Sequence, residues 1–338
     1  MVEESGMGAE KLDAAVYTIR ALNDLAEMAA AKGDESTQKW ATDKASALLS
    51  RFEQDWWMPD PGLYADSLAL NQTVPTNPLA VLGVAHITRL QQMYWINATP
   101  METDFASINH AHTALSNLES SLFTGTNGFY QAGTGGGFNG KGDLEASALP
   151  SSVMAVAEAN YGRVDESLRY VLDIARQLDL EQPGALPEQM PSPDYILFPF
   201  QPLIRRAMVM QAWSSYGVLY PIVHDFLGVR PQVPKRFIVV VPQLPSSLPQ
   251  LSIQDLRVGD KNLAVAAQHQ DKMYVTEVTL PAGYGLEIGH VLAAPAAIES
   301  VTLNGKATNY EIRSVHRGIE VVAHVFAAGT YRLVIQTR

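Results

Sequence analysis

Gly228-Val229-Arg230-Pro231 divides the chain into two kinds of sequence. Upstream, apolar residues recur every three or four positions; downstream, they alternate. The runs Phe237–Val241, Asn262–Ala267, Met273–Leu280, Tyr284–Ile288, Ile298–Leu303, Gly318–His324 and Thr330–Gln336 read as strands. Asn304-Gly305 has the chemistry of a two-residue hairpin turn. This density of short strands predicts an antiparallel β-sandwich over residues 231–338.

Residues 1–230 read as a helical domain. Leu12, Val16, Ile19, Leu22, Leu25 and Met28 keep helical spacing until Gly33 ends the run. Asp34 can cap a second helix reaching about Trp56, with Trp40, Ala41, Ala45, Leu48, Leu49 and Phe52 on its buried side. Further helices are expected over residues 78–95, 105–123, 145–160, 164–179 and 200–227. Short turns alternate with longer loops at 57–77, 94–104, 128–143 and 181–199, the pattern of helical hairpins whose loops gather at one rim. The fold class expected is therefore α+β and multidomain, a partial α/α-toroid followed by a β-sandwich.

Charge is unevenly placed. Of 24 basic and 35 acidic residues, ten and eight lie from Pro231 onward, which leaves 14 and 27 before it. An acidic helical region repels nucleic acid and anionic membranes, and neutral substrates are indifferent to that field. No apolar run is long enough to span a bilayer and no secretory leader opens the chain. With no cysteine, disulfides and thiolate metal sites are excluded, and a reducing, cytoplasmic setting is the expectation.

The candidate chemistry lies in the rim loops. Pro183-Gly184-Ala185-Leu186-Pro187-Glu188-Gln189 holds one carboxylate between residues that stiffen and turn the backbone, with Tyr195, Phe198 and Phe200 close behind. The glycine-rich stretch Gly133–Gly142, with Lys141 and Asp143, follows no predicted strand and lacks a phosphate-loop ending, so it reads as a flexible loop beside a site. His110 and His112 have the wrong spacing for a helical metal pair, and His269, His290, His316 and His324 are scattered. Neither a metal nor an organic cofactor is expected. What remains is carboxylates and aromatics, the equipment of glycoside hydrolysis, where an inverting enzyme sets an acid and a base about 6.5–9.5 Å apart. Glu188 is the first candidate. Glu102, within Trp95-Ile96-Asn97-Ala98-Thr99-Pro100-Met101-Glu102, and Asp66, within Tyr64-Ala65-Asp66-Ser67, can hydrogen-bond sugar hydroxyls, and Glu102 is also a rival acid. Trp57, Trp95 and Tyr195 are stacking candidates, whereas Trp40 and Trp213 read as core.

Three stretches carry a resemblance. Met1-Val2-Glu3-Glu4 with Ala15-Val16 and Arg20-Ala21-Leu22 is similar to the acid loop of glucoamylases and the helix behind it. Pro187-Glu188-Gln189, followed by Arg205-Arg206 and Gln211-Ala212-Trp213-Ser214, is similar to the base loop and last barrel helix. Pro221, Leu227-Gly228-Val229 and Pro242-Gln243-Leu244-Pro245 are similar to the exit from that barrel into a β-domain. Together they resemble the C-terminal half of a six-hairpin (α/α)6 glycosidase of the glucoamylase and glycogen-debranching type. The resemblance implies an inverting hydrolase of neutral oligosaccharides or α-glucans, with Glu188 as base and Glu3, ahead of Glu4, as acid. Helix counting then places Met1 inside a longer reading frame, with five helices before it. Completion by a second chain and a degenerate, non-catalytic carbohydrate-binding relative are the other expectations. A phosphorylase, with Arg205 and Arg206 facing phosphate, is a further alternative.

Overall fold

The structure is a computed structural model that describes residues 7–70, 87–137, 140–178, 184, 186–190, 211–293 and 296–338. It divides into two compact units, one of residues 1–157 with 173–214, the other of residues 158–172 with 215–338.

In the first unit, β1 (Glu10–Lys11) leads into the helices α1 (Leu12–Lys32) and α2 (Glu35–Trp56), followed by β2 (Trp57–Met58), β3 (Leu63–Tyr64), β4 (Ser67–Leu70) and β5 (Ile87–Leu90). The α1–α2 hairpin forms as its sequence dictates. Gly33 adopts φ 73 and its N–H reaches the carbonyls of Ala29 and Ala30, while the Asp34 carboxylate accepts the Thr37 N–H. Then come α3 (Thr99–Glu102), α4 (Ile108–Leu118), β6 (Thr124–Gly125), β7 (Gly128–Ala132), β8 (Asp143–Ser147), α5 (Ala148–Asn160) and, after α6 (Val164–Ala175), β9 (Gln189–Met190); most of α6 and of α7 (Ala212–Tyr220), with the π-helical turn at Pro221–Phe226 that continues α7, belongs to the second unit.

Three expectations for this region are corrected. Of the helix expected over 78–95, residues 87–90 are a strand, because the β-branched Ile87-Thr88 joins Arg89-Leu90 in antiparallel pairing with β4, and residues 91–94 are irregular. Trp40, Leu48 and Leu49, assigned to a buried face, are 52%, 46% and 40% exposed, and Trp213 is 39% exposed. The buried side of α2 is instead Ala41, Ala45, Phe52 and Trp56. The glycine-rich stretch is not a slack loop. It joins two strands, and Gly133 and Gly137 donate their N–H groups to the Met93 and Gln92 carbonyls. A Cβ on Gly136 would lie 2.4 Å from the Gln92 carbonyl oxygen, so close backbone approach explains the glycine.

In the second unit, β10 (Val229–Gln232), β11 (Phe237–Val240), β12 (Gln250–Val258), β13 (Lys261–Gln270), β14 (Met273–Leu280), β15 (Gly285–Leu292), β16 (Ile298–Leu303), β17 (Lys306–Ala307), β18 (Glu311–Val315), β19 (Gly318–Val325) and β20 (Gly329–Thr337) form two sheets. Their orders are β10-β11-β15-β19-β18 and β12-β13-β14-β20-β16-β17. The sandwich is not wholly antiparallel, since β11 and β15 run parallel. Alternation builds the core: Val265, Ala267, Val278, Leu333 and Ile335 of one sheet are buried, as are Leu286, Ile288, Val321 and Ala323 of the other. Thr276 bridges the sheets, its hydroxyl donating to the Gly289 carbonyl at 2.7 Å. The opposite face of β15 is also covered, where Val291 packs with Val239, Val241 and Val322. The Asn304-Gly305 turn forms, with φ of 50 and 75. In the same unit the turn after α5 lies close to the β18–β19 turn. Gly162, at φ 76, sits so near the Arg317 carbonyl that a Cβ would approach it to 2.5 Å, and Tyr161 stacks on His316.

Candidate active site

Glu188 stands immediately before β9, which pairs with the end of β8 through Ala146 with Met190 and Ser147 with Gln189. Its backbone is fastened from two sides. The Glu188 carbonyl accepts the Ala148 N–H at 2.8 Å and the Ser147 hydroxyl at 3.1 Å. The preceding Pro187 carbonyl accepts the Ser214 hydroxyl at 3.0 Å, and the Leu186 carbonyl accepts the Gln211 N–H at 3.0 Å. Leu186 and Pro187 are buried, while Glu188 is half-buried. Its carboxylate accepts a hydrogen bond from the Gln211 side-chain amide at 3.3 Å. Gly184 takes the left-handed conformation at φ 81 that the turn requires. The result is an acid held in place by its main chain with part of its surface open to solvent.

The same sheet reaches a second rim loop. Its order is β6-β7-β8-β9, and Tyr94 bridges Ala132 of β7. The loops carrying Glu188 and Trp95 are thus joined through a shared sheet. After Tyr94 the chain makes a 3-10 turn, Trp95–Ala98, and continues into α3, which ends in Glu102. The Glu102 side chain is 4% exposed and accepts from the Arg20 guanidinium at 3.3 Å. The Tyr17 hydroxyl also hydrogen-bonds to Glu102. Tyr17 keeps 37% of its surface exposed, yet dense surroundings at its hydroxyl, then the charges of Glu102 and Asp13, push the phenol well above its ordinary range. Asp13, Tyr17 and Arg20 lie three to four residues apart on α1 and share a side of the helix.

Asp66 has no exposed surface. It accepts the Asn97 side-chain amide at 2.7 Å and the Gln92 N–H at 2.5 Å. Burial raises its carboxyl to about 7, against the lowering effect of hydrogen bonds from Gln92, Asn97, Tyr94 and Met93. Asn97 in turn accepts the Tyr64 N–H at 2.9 Å. Asp66 therefore shapes the 91–97 loop from beneath. Trp95 is also buried, at 6% exposure. Trp57 is half-buried, with one face stacked on His110 at 4.0 Å and its ring edge-on to Tyr64 at 5.1 Å. Lys141 is exposed at the tip between β7 and β8. Glu3 and Tyr195 lie outside the described residues.

One cluster escaped the sequence reading. Glu53 accepts the Tyr64 hydroxyl at 3.0 Å and the Ser107 N–H at 2.5 Å, and lies 2.6 Å from His110 Nδ1. It secures the end of α2 to the start of α4 and fixes the imidazole beneath Trp57. The available signal was its place on the last turn of α2, just ahead of Trp56-Trp57. Among the described residues, no group of three or more His, Cys, Asp or Glu could hold a metal ion, and no helix is long and apolar enough to cross a membrane.

No protein-family model matches the chain, and no curated protein does. Solved structures do. An alpha-L-rhamnosidase from Dictyoglumus thermophilum superimposes on 95% of this chain with a TM-score of 0.58 at 13% identity. An alpha-L-rhamnosidase from Streptomyces avermitilis, solved with L-rhamnose, covers 96% with a TM-score of 0.54 at 12% identity. The chain spans 31% and 26% of their respective lengths. At such identities the likeness is one of fold: this chain is similar in architecture to a part of glycoside hydrolases of the alpha-L-rhamnosidase kind.

Proposed function

We propose that this chain carries the base side of an inverting glycoside hydrolase acting on a neutral oligosaccharide. The observation that carries the reading is Glu188, a half-buried carboxylate whose own carbonyl and the two preceding carbonyls are all hydrogen-bonded. A general base must be held still yet reach water, and this arrangement serves both needs. Ionised Glu188 takes a proton from a water molecule as its oxygen attacks the anomeric carbon. The glycosidic bond breaks, and a second carboxyl, which we assign to Glu3, protonates the leaving oxygen. Trp57, Tyr195 and Lys141 are proposed to contact the sugar from neighbouring rim loops; Glu102, its side chain 4% exposed and paired with Arg20, backs the rim instead. Asp66 and Trp95, both buried, support the loop rather than offering a surface to it. The acidic balance before Pro231 favours an uncharged substrate. The helical region 1–230 holds this chemistry in our reading, the sandwich 231–338 is a second domain, and neither metal nor organic cofactor takes part.

The glucan preference inferred from the glucoamylase resemblance and the rhamnoside named for the structural relatives are separable by experiment. The protein is incubated with maltoheptaose, p-nitrophenyl α-D-glucoside and p-nitrophenyl α-L-rhamnoside, and the first product anomer is read by proton NMR. Release of sugar with inverted configuration is expected from one of the three. Retention of configuration, release that depends on inorganic phosphate, or calorimetric binding without release of reducing sugar overturns the proposal. The last two outcomes point to a phosphorylase and to a non-catalytic carbohydrate-binding protein.

A further inference from the structure

The outer face of the six-stranded sheet holds a groove of about 590 Å3 that the proposed hydrolase chemistry does not use. Its size falls in the range of about 300–1,000 Å3 typical of small-molecule sites. Register explains its lining. On β12 and β13, Gln250 faces Gln268 and Ser252 faces Ala266; on β13 and β14, Ala266 faces Glu277 and Gln268 faces Val275. Directly paired residues share one face, so these six side chains line a single surface across three strands.

The shape has a physical cause. Ser252 and Ala266 sit opposite each other at the middle, where neither side chain rises far above the sheet. Beyond them β12 carries an irregularity between Ile253 and Leu256, with Asp255 at φ 54, which bends the edge strand. The partly exposed Ala266 gives the groove its apolar floor, and Val275, 2% exposed although it points away from the sandwich core, lies buried beside it. The exposed amides of Gln250 and Gln268 stand at one end. At the other, Glu277 is matched by Arg332, whose Nε donates to it at 2.8 Å.

The chemistry of the lining selects a class of ligand. Two amides and a hydroxyl offer donors and acceptors in about equal measure. The one carboxylate is paired, so no net charge calls for an ionic partner. A small apolar floor under neutral polar walls suits the face of a sugar ring, with its hydroxyls reaching the amides. We infer that the groove between β12, β13 and β14 is a non-catalytic binding site for neutral oligosaccharides, separate from the rim of loops around Glu188. It shares with the proposed function only the class of ligand.

The test is a methyl NMR titration of the full chain with maltoheptaose and cellohexaose, and with a trigalacturonic acid as charged comparison. Saturable shifts of Ala266 and Val275 at millimolar neutral oligosaccharide are expected, with little response to the acid. Ala266→Trp fills the groove at a strand position that accepts large aromatics and should weaken binding at least about tenfold. A second variant, Gln250→Ala with Gln268→Ala, leaves the fold's interior untouched and should weaken binding as well. Silence of both methyls at saturating neutral sugar, shifts unchanged in either variant, or tighter binding of the acid overturns the inference. Hydrolysis is followed in the same samples. Shifts without hydrolysis would remove the enzyme reading and leave this site standing; hydrolysis without shifts would do the reverse.

Discussion

Replacing Asp66 by Asn converts the most heavily buried carboxyl of the rim into a neutral group of nearly the same shape. In the folded protein burial raises Asp66 from an ordinary 3.8 to about 7, despite four hydrogen bonds that favour the charge. A carboxyl whose folded pKa exceeds its unfolded value binds more protons when folded. Its stabilising contribution is therefore complete below pH 3.8, declines as pH rises, and is gone above about 7. At roughly 1.4 kcal/mol per pH unit, the gap amounts to about 4 kcal/mol. Other carboxyls and histidines titrate over the same range, but they do so in both proteins and cancel in the difference. Urea unfolding of the wild type and Asp66→Asn at pH 4 and pH 8 should thus show a wild-type advantage larger at pH 4 by about 4 kcal/mol. A difference independent of pH, or one larger at pH 8, would refute the reasoning. It would mean that the donors from Gln92, Met93, Tyr94 and Asn97 outweigh desolvation, so that Asp66 is an ordinary loop-organising carboxylate.

The other expectations concern the sandwich unit. His290 is fully buried behind Thr276, and burial, followed by the nearby His269 and Arg317, lowers it to about 3. Its folded pKa lies below the unfolded value, so its contribution is present above about 6.5 and lost as pH falls towards 3. His290→Gln should accordingly flatten acid unfolding by about 5 kcal/mol over that window in a pH series of denaturant melts. Gly162→Ala places a Cβ 2.5 Å from the Arg317 carbonyl at φ 76, and should cost about 3 kcal/mol by thermal or urea unfolding. Arg313 donates to both Glu287 oxygens at 3.0 and 2.9 Å, and the Glu287 side chain is 8% exposed. Because Arg313 itself is 38% exposed, Arg313→Met should cost about 2 kcal/mol; Glu311→Ala at the exposed end of the same network should leave the melt nearly unchanged.

Local chemistry was legible wherever a segment decides its own conformation. The Gly33-Asp34 break needs only a left-handed glycine and a side-chain cap, and both are visible in two adjacent residues. Met273–Leu280 and Ile298–Leu303 were read to the residue because alternation marks a strand buried on one face. Gln250–Val258 was missed because the irregularity near Asp255 breaks that alternation. The parallel pairing of β11 with β15 is a long-range choice that neither strand announces. Exposure of Trp40, Leu48 and Leu49 could not be read from periodicity, which locates an apolar face but not what covers it. The constrained backbone around Glu188 is legible in Pro187 and Gly184, and Gly184 takes the left-handed conformation that the turn needs. Asp66 was found as a polar residue among aromatics, but only hydrogen bonds to Asn97 and Gln92 reveal that it faces inward. The Glu53 cluster joins residues 11, 54 and 57 positions away, and no single segment contains it.

The central claim is that Glu188 is the base. The most direct measurement is the hydrolysis rate of Glu188→Gln beside that of the wild type, on whichever of the three substrates the wild type cleaves, with unfolding midpoints recorded for both. The account predicts a fall of about 10²–10⁴-fold with a nearly unchanged midpoint, since the loop is held chiefly by the carbonyls of Leu186, Pro187 and Glu188 and a glutamine amide oxygen can still accept from Gln211. A near-normal rate in the folded variant would contradict it.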